Sequence, residues 1–122
     1  MPTPEQITST VDAYARSFGA GDRDLFLSAL SDSGTQIDPV GSSPNEGKDA
    51  PAAFWDGLFA LCDAVALEFR DVFMAGDGAA MLFTVVQDRK DGQQLTFGGV
   101  DVFQVDDGKI ALIKGYGRIR QG

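Results

Sequence analysis

Residues 94–105, QLTFGGVDVFQV, carry the reading that decides the fold. Every second position from Leu95 gives Leu95, Phe97, Gly99, Asp101, Phe103 and Val105, the two-residue period of a strand with one face in a core. Tight-turn residues flank it, Asp91-Gly92 before and Asp106-Asp107-Gly108 after, so it is the middle of an antiparallel meander. Upstream, Val65, Leu67 and Phe69 alternate with polar partners, and residues 79–86 form a nearly continuous apolar run. Downstream, residues 110–119 make a last strand. The chain before residue 64 is helical in pattern. Ile7, Val11, Tyr14 and Phe18 form one stripe, capped by Thr3 before Pro4 and ended by Gly19 and Gly21. Asp22 is expected to cap a second helix, carrying Leu25, Phe26, Ala29 and Leu30, that stops in Ser31-Asp32-Ser33-Gly34. Residues 35–40 are extended, because the residue before Pro39 is pushed out of the helical region. Asp49 is expected to cap a third helix with Phe54, Leu58, Phe59, Leu61 and Cys62. The expectation is one α+β domain over residues 1–122, three helices covering one face of a curved four-strand antiparallel sheet.

Composition narrows the chemistry. With 122 residues, 43% of them hydrophobic, the chain is long enough for a single core without disulfides or metals. A formal charge of −8 repels phosphate backbones and anionic headgroups, so nucleic acid and membrane surfaces are excluded as partners. The one cysteine, Cys62, sits among Leu58, Phe59 and Leu61 and reads as a small buried hydrophobe. The first residues lack the basic and apolar regions of a leader, and no apolar run is long enough to span a membrane, so the cytoplasm is the expected location. There is no histidine. Histidine triads, histidine bases and histidine-ligated zinc are therefore excluded, and proton transfer falls to Asp, Glu, Tyr or Lys.

Three residues stand out. Asp101 falls on the apolar face between Phe97 and Phe103, where desolvation raises a carboxyl pKa and favours a protonated, hydrogen-bond-donating acid. A bulge at Gly98-Gly99, or pairing with Lys114 or Arg118 on the next strand, would remove that anomaly. Tyr14 belongs to the buried stripe of the first helix, and its hydroxyl needs a partner or a cavity. Asp38, before a proline and between apolar residues, is either a turn residue or an ionisable group on a pocket wall.

In order and spacing, Tyr14 through Ala20-Gly21-Asp22, then Asp38-Pro39-Val40-Gly41-Ser42, then Val100-Asp101-Val102-Phe103, resemble the bacterial Δ5-3-ketosteroid isomerases of the nuclear transport factor 2-like superfamily. The resemblance is strongest over residues 3–55, including Phe54, and looser in the last two strands. It implies a conical, strongly bent antiparallel sheet wrapped by three helices around an apolar pocket, and a homodimer. It also implies roles: Asp38 as the base that shuttles a proton, Tyr14 and a protonated Asp101 as donors to the carbonyl oxygen of a small apolar, steroid-like ketone, with neither metal nor cofactor. Phe18, Phe54, Phe59, Met81, Phe83, Phe97, Phe103 and Tyr116 are the candidate apolar lining. Departures from the pattern are Trp55 and Leu30, where aromatic hydroxyl or aromatic residues are usual, and Gly115-Tyr116-Gly117 and Val102 near the end of the chain. The alternatives on this fold are a noncatalytic binding or dimerisation module and a different small-molecule enzyme. Dehydratase- and cyclase-like members lean on histidine, which is absent here, and the Asp-Arg-Asp set of limonene epoxide hydrolase-like members has no placeable arginine.

Overall fold

The structure is a computed structural model and describes residues 2–38 and 40–117. Helix α1 (Pro4–Ala20) starts in a capping box: the Gln6 amide N–H donates to Thr3 Oγ1 at 3.2 Å, and the Thr3 N–H donates to Gln6 Oε1 at 2.8 Å. It ends where Gly21 takes the left-handed conformation, φ 61°. Helix α2 (Arg23–Ala29) starts with the Leu25 N–H donating to Asp22 Oδ1 at 3.0 Å, as expected of Asp22.

The next segment departs from the sequence expectation. Ser31-Asp32-Ser33-Gly34 does not form a terminating loop but belongs to strand β1 (Leu30–Ile37), which runs parallel to the last strand. The strand is irregular between Leu30 and Thr35. Gly34 fits there because a Cβ would lie 3.1–3.3 Å from three backbone oxygens. Ser31 to Gly34 fall within that irregularity and keep local bonding, the Ser33 N–H donating to Ser31 Oγ at 3.3 Å, while Leu30, Thr35, Gln36 and Ile37 carry the pairing with the last strand. A two-residue strand β2 (Asn45–Glu46) pairs antiparallel with β1. Helix α3 (Ala50–Leu61) follows, but Asp49 makes no side-chain capping bond, and Pro51 occupies the first turn instead. Cys62 is buried as expected, though as the first residue of strand β3 (Cys62–Ala75) rather than the last of the helix, its N–H still bonded to Leu58 O.

Strands β4 (Gly78–Arg89), β5 (Gln94–Asp106) and β6 (Lys109–Gly117) complete the meander. Arg118 and Ile119, expected at its end, lie outside the described residues. Among the described residues, six strands run in the order β2-β1-β6-β5-β4-β3, antiparallel except for the β1–β6 pair. The expected architecture holds, three helices on a curved α+β sheet, with two more strands than expected. A bulge in β3, where Asp71 has φ 50° between the paired residues Arg70 and Val72, bends the strand. The core lies between α1, α2 and the inner sheet face and is built on Phe26, Phe103, Ile7 and Ile110, each at most 1% exposed. Among the described residues no helix is long and apolar enough to cross a membrane.

Candidate active site

Between the inner sheet face and α1 and α3 lies a cavity of about 580 Å³ whose exposed lining is mostly apolar. Its size is that of a small-molecule site. Tyr14, Asp38 and Asp101 all open on it, so the three polar positions singled out in the sequence share one site although they come from α1, the segment after β1, and β5.

Asp101 reaches the cavity because β4 and β5 stay in register. Met81 faces Asp101 with no shift along the pair, so no bulge forms at Gly98-Gly99. Those glycines serve close strand approach instead: a Cβ on Gly99 would overlap the Tyr116 carbonyl, and one on Gly98 would sit 3.0 Å from Phe83 O. Lys114 does not neutralise Asp101. It lies opposite Val102, while Asp101 lies opposite Gly115, and Asp101 forms no ion pair among the described residues. Asp101 is 6% exposed. Burial first, and then the charge of Asp38, pushes its carboxyl up from 3.8 to about 7.

Tyr14 is wedged among four aromatic rings. Phe18 and Phe103 meet it edge-on at 5.2 and 5.5 Å, with Phe26 at 5.7 Å and Phe69 at 6.5 Å. These contacts fix the ring, while its hydroxyl has no hydrogen-bond partner among the described residues. Burial, followed by the charges of Asp101 and Asp38, raises the phenol well above its ordinary 10.0, so it stays a donor. Trp55 adds no hydroxyl network to Tyr14. Its indole is packed at 5.5 Å from Phe18 and 5.0 Å from Phe26.

Asp38 is placed by the parallel strand pair. Ile37 lies opposite Lys114, and the Val40 N–H donates to Gly115 O at 2.8 Å, which holds the chain on either side of Asp38 against β6. The Asp38 carboxyl then rests directly on Gly115, where any Cβ would overlap it. Since Gly115 is the lateral neighbour of Asp101, one missing side chain brings the two carboxyls to the same place. Asp38 retains solvent-accessible surface on the open cavity, yet its surroundings desolvate it enough to raise its pKa above 3.8. Being the less buried, it ionises first, and its charge adds to what keeps Asp101 protonated. Between the ionisation of Asp38 and that of Asp101 near pH 7, the site therefore offers one carboxylate base beside two proton-bearing donors.

Of the expected apolar lining, Phe18, Phe54, Phe83, Phe97 and Tyr116 border the cavity. Met81, Phe103 and Phe59 do not. Met81 and Phe103, each 1% exposed, have the inward parity, but α1 covers that end of the sheet and makes it core. Phe103 backs Tyr14, and Met81 lies by Ile7 and Val11. Phe59 stacks on Trp55 at 4.4 Å. Sequence reasoning missed Val40, Leu58, Val65, Leu67, Val85, Gln87 and Gly117 as lining residues. Parity carried the signal for several, since Val85 and Gln87 follow Phe83 at two-residue steps, and Leu58 stands one helical turn after Phe54.

The three helices, the curved sheet and the cavity between them define a protein of the nuclear transport factor 2-like fold. Within it, a SnoaL-like domain matches residues 11–113, and the chain belongs to that family. Among solved structures, the chain is similar to the epoxide hydrolase/cyclase-like enzyme SalBIII of pyran ring formation in polyether salinomycin (TM-score 0.87, 21% identity, covering 98% of this chain and 95% of that one). It is similar to Δ5-3-ketosteroid isomerase from Mycobacterium sp. (0.82, 24%, covering 91% and 92%). It is also similar to RV0760c from Mycobacterium tuberculosis, solved in complex with estradiol-17β-hemisuccinate (0.84, 22%, covering 93% and 95%). At these identities the likeness establishes the fold alone.

Proposed function

We propose that this protein is a cofactor-independent isomerase that moves a double bond from the β,γ to the α,β position of a steroid-like apolar ketone. The observation that carries the reading is the pairing, on one apolar cavity, of an ionisable Asp38 with an Asp101 carboxyl pushed up to about 7 and a Tyr14 hydroxyl that keeps its proton. In the reaction, the Asp38 carboxylate takes a proton from the carbon between the carbonyl and the double bond. The released electron pair forms a new double bond to the carbonyl carbon, and negative charge moves to the carbonyl oxygen. Tyr14 O–H and protonated Asp101 stabilise that oxygen in a water-poor site, where fixed donors act most strongly. Asp38, now protonated, returns the same proton two carbons further along, and the carbonyl re-forms in conjugation. The estradiol derivative held by a protein of the same fold supports a ligand of this size and shape. The reading extends to a homodimer in which a second copy covers the sheet face turned away from the cavity, where Leu82 and Val100 are adjacent in register.

The test is 5-androstene-3,17-dione mixed with the pure protein. The reading expects growth of ultraviolet absorbance from the conjugated 4-ene, abolished in Asp38→Asn. Wild type that binds equilenin without turnover would make the chain a binding module instead.

A further inference from the structure

Apart from the Tyr14, Asp38 and Asp101 cluster, the cavity wall carries one other buried polar side chain among the described residues, Gln87 on β4. It is only 8% exposed, and its lateral neighbours are Val65 on β3 and Leu95 on β5. A buried amide in such surroundings is costly unless it is bonded. Half of it is: Gln87 Oε1 accepts from Arg89 Nη2 at 3.1 Å and from Arg89 Nε at 3.3 Å. That fork identifies the oxygen and fixes the amide plane. The Nε2 group, two N–H donors, has no acceptor among the described residues, at a position that borders the cavity.

The location gives this donor a meaning. Met81 lies opposite Asp101, and β4 runs from Met81 to Gln87 without a register shift against β5. Six strand residues at ~3.3 Å each put the two levels about 20 Å apart along the strand, less across the curved face. Gln87 thus stands at the opposite pole of an otherwise apolar cavity from the carbonyl-binding donors. We propose that Gln87 is a specificity-determining residue that donates from Nε2 to an acceptor oxygen at the far end of an elongated apolar ligand. The substrate class is then a rigid apolar molecule with an oxygen at each pole. The inference rests on the isomerase reading for which end reacts, but its binding test does not require turnover.

The experiment compares ligands that differ at one atom. Dissociation constants of equilenin and 17-deoxyequilenin are measured by ligand fluorescence for wild type, Gln87→Leu and Gln87→Glu. In parallel, kcat/KM is compared for 5-androstene-3,17-dione and 5-androsten-3-one. One neutral hydrogen bond leads to a preference for the 17-ketone, relative to the variants, of about fivefold. Gln87→Leu removes the donor, while Gln87→Glu keeps an acceptor for Arg89 but has no N–H to offer, so both lose the preference. Because the readout is a ratio between two ligands, a general loss of folded protein cancels. A change of less than twofold in the ratio for both variants overturns the inference, as does failure of wild type to bind either ligand. Discrimination in binding without turnover would sustain Gln87 and sink the isomerase reading, whereas turnover without discrimination would do the reverse.

Discussion

Asp101 links stability to pH in a direction opposite to most carboxylates. Its folded pKa, about 7, is raised above the ordinary 3.8, so between those values the folded state holds a proton that the unfolded chain has released. Stability from this group is therefore full below about pH 4 and is lost as pH rises toward about 7, by on the order of 4 kcal/mol at most. Asp101→Asn removes the titration. Thermal melts from pH 5 to 8 should show the variant gaining stability over wild type as pH rises, and parallel curves would contradict the burial argument. Gly115 offers a second test at this scale. Gly115→Ala pushes the Asp38 carboxyl off its seat without touching the core, so turnover should fall at least tenfold while the melting temperature changes little. Asp101 was legible in the sequence because strand parity alone puts it on the apolar side. The seat of Asp38 on Gly115 was not, since it depends on a parallel contact between segments some 75 residues apart, which no local pattern records.

At the scale of elements, α1 is held both by its cap and by its buried stripe. Thr3→Ala breaks the capping box and should cost about 1 kcal/mol in urea unfolding, with activity unchanged. Phe26→Ala should cost about 3–5 kcal/mol, because Phe26 is fully buried against Tyr14, Phe18 and Trp55 and its loss leaves a cavity under the Tyr14 ring. The meander and the first two helices could be read from periodicity and turn residues. Strand β1 could not: Ser31, Asp32, Ser33 and Gly34 have turn chemistry, and it is Leu30 before them and Thr35, Gln36 and Ile37 after them that pair with β6. The α3–β3 junction at Cys62 was misplaced for a related reason, as an apolar run reads alike in a buried helix end and a strand start.

For the whole molecule, the division of the inner sheet face into core and cavity is what the sequence concealed. Met81 and Phe103 share the parity of Phe83 and Phe97, but the first two are packed into the core beneath α1 and the second two line the cavity. Assembly is a prediction at this scale: light scattering should report twice the 13.0 kDa chain mass, and Leu82→Asp should shift it toward the monomer. With no histidine in the chain and a phenol and two carboxyls on the cavity, the proposed proton transfer should follow carboxyl titration. The most direct test of the central claim is the pH dependence of kcat/KM on 5-androstene-3,17-dione. The account predicts a bell, rising as Asp38 ionises and falling near pH 7 as Asp101 loses its proton, with the falling limb gone in Asp101→Asn. A falling limb unchanged in Asp101→Asn, or a rate flat through pH 7 in wild type, would contradict it.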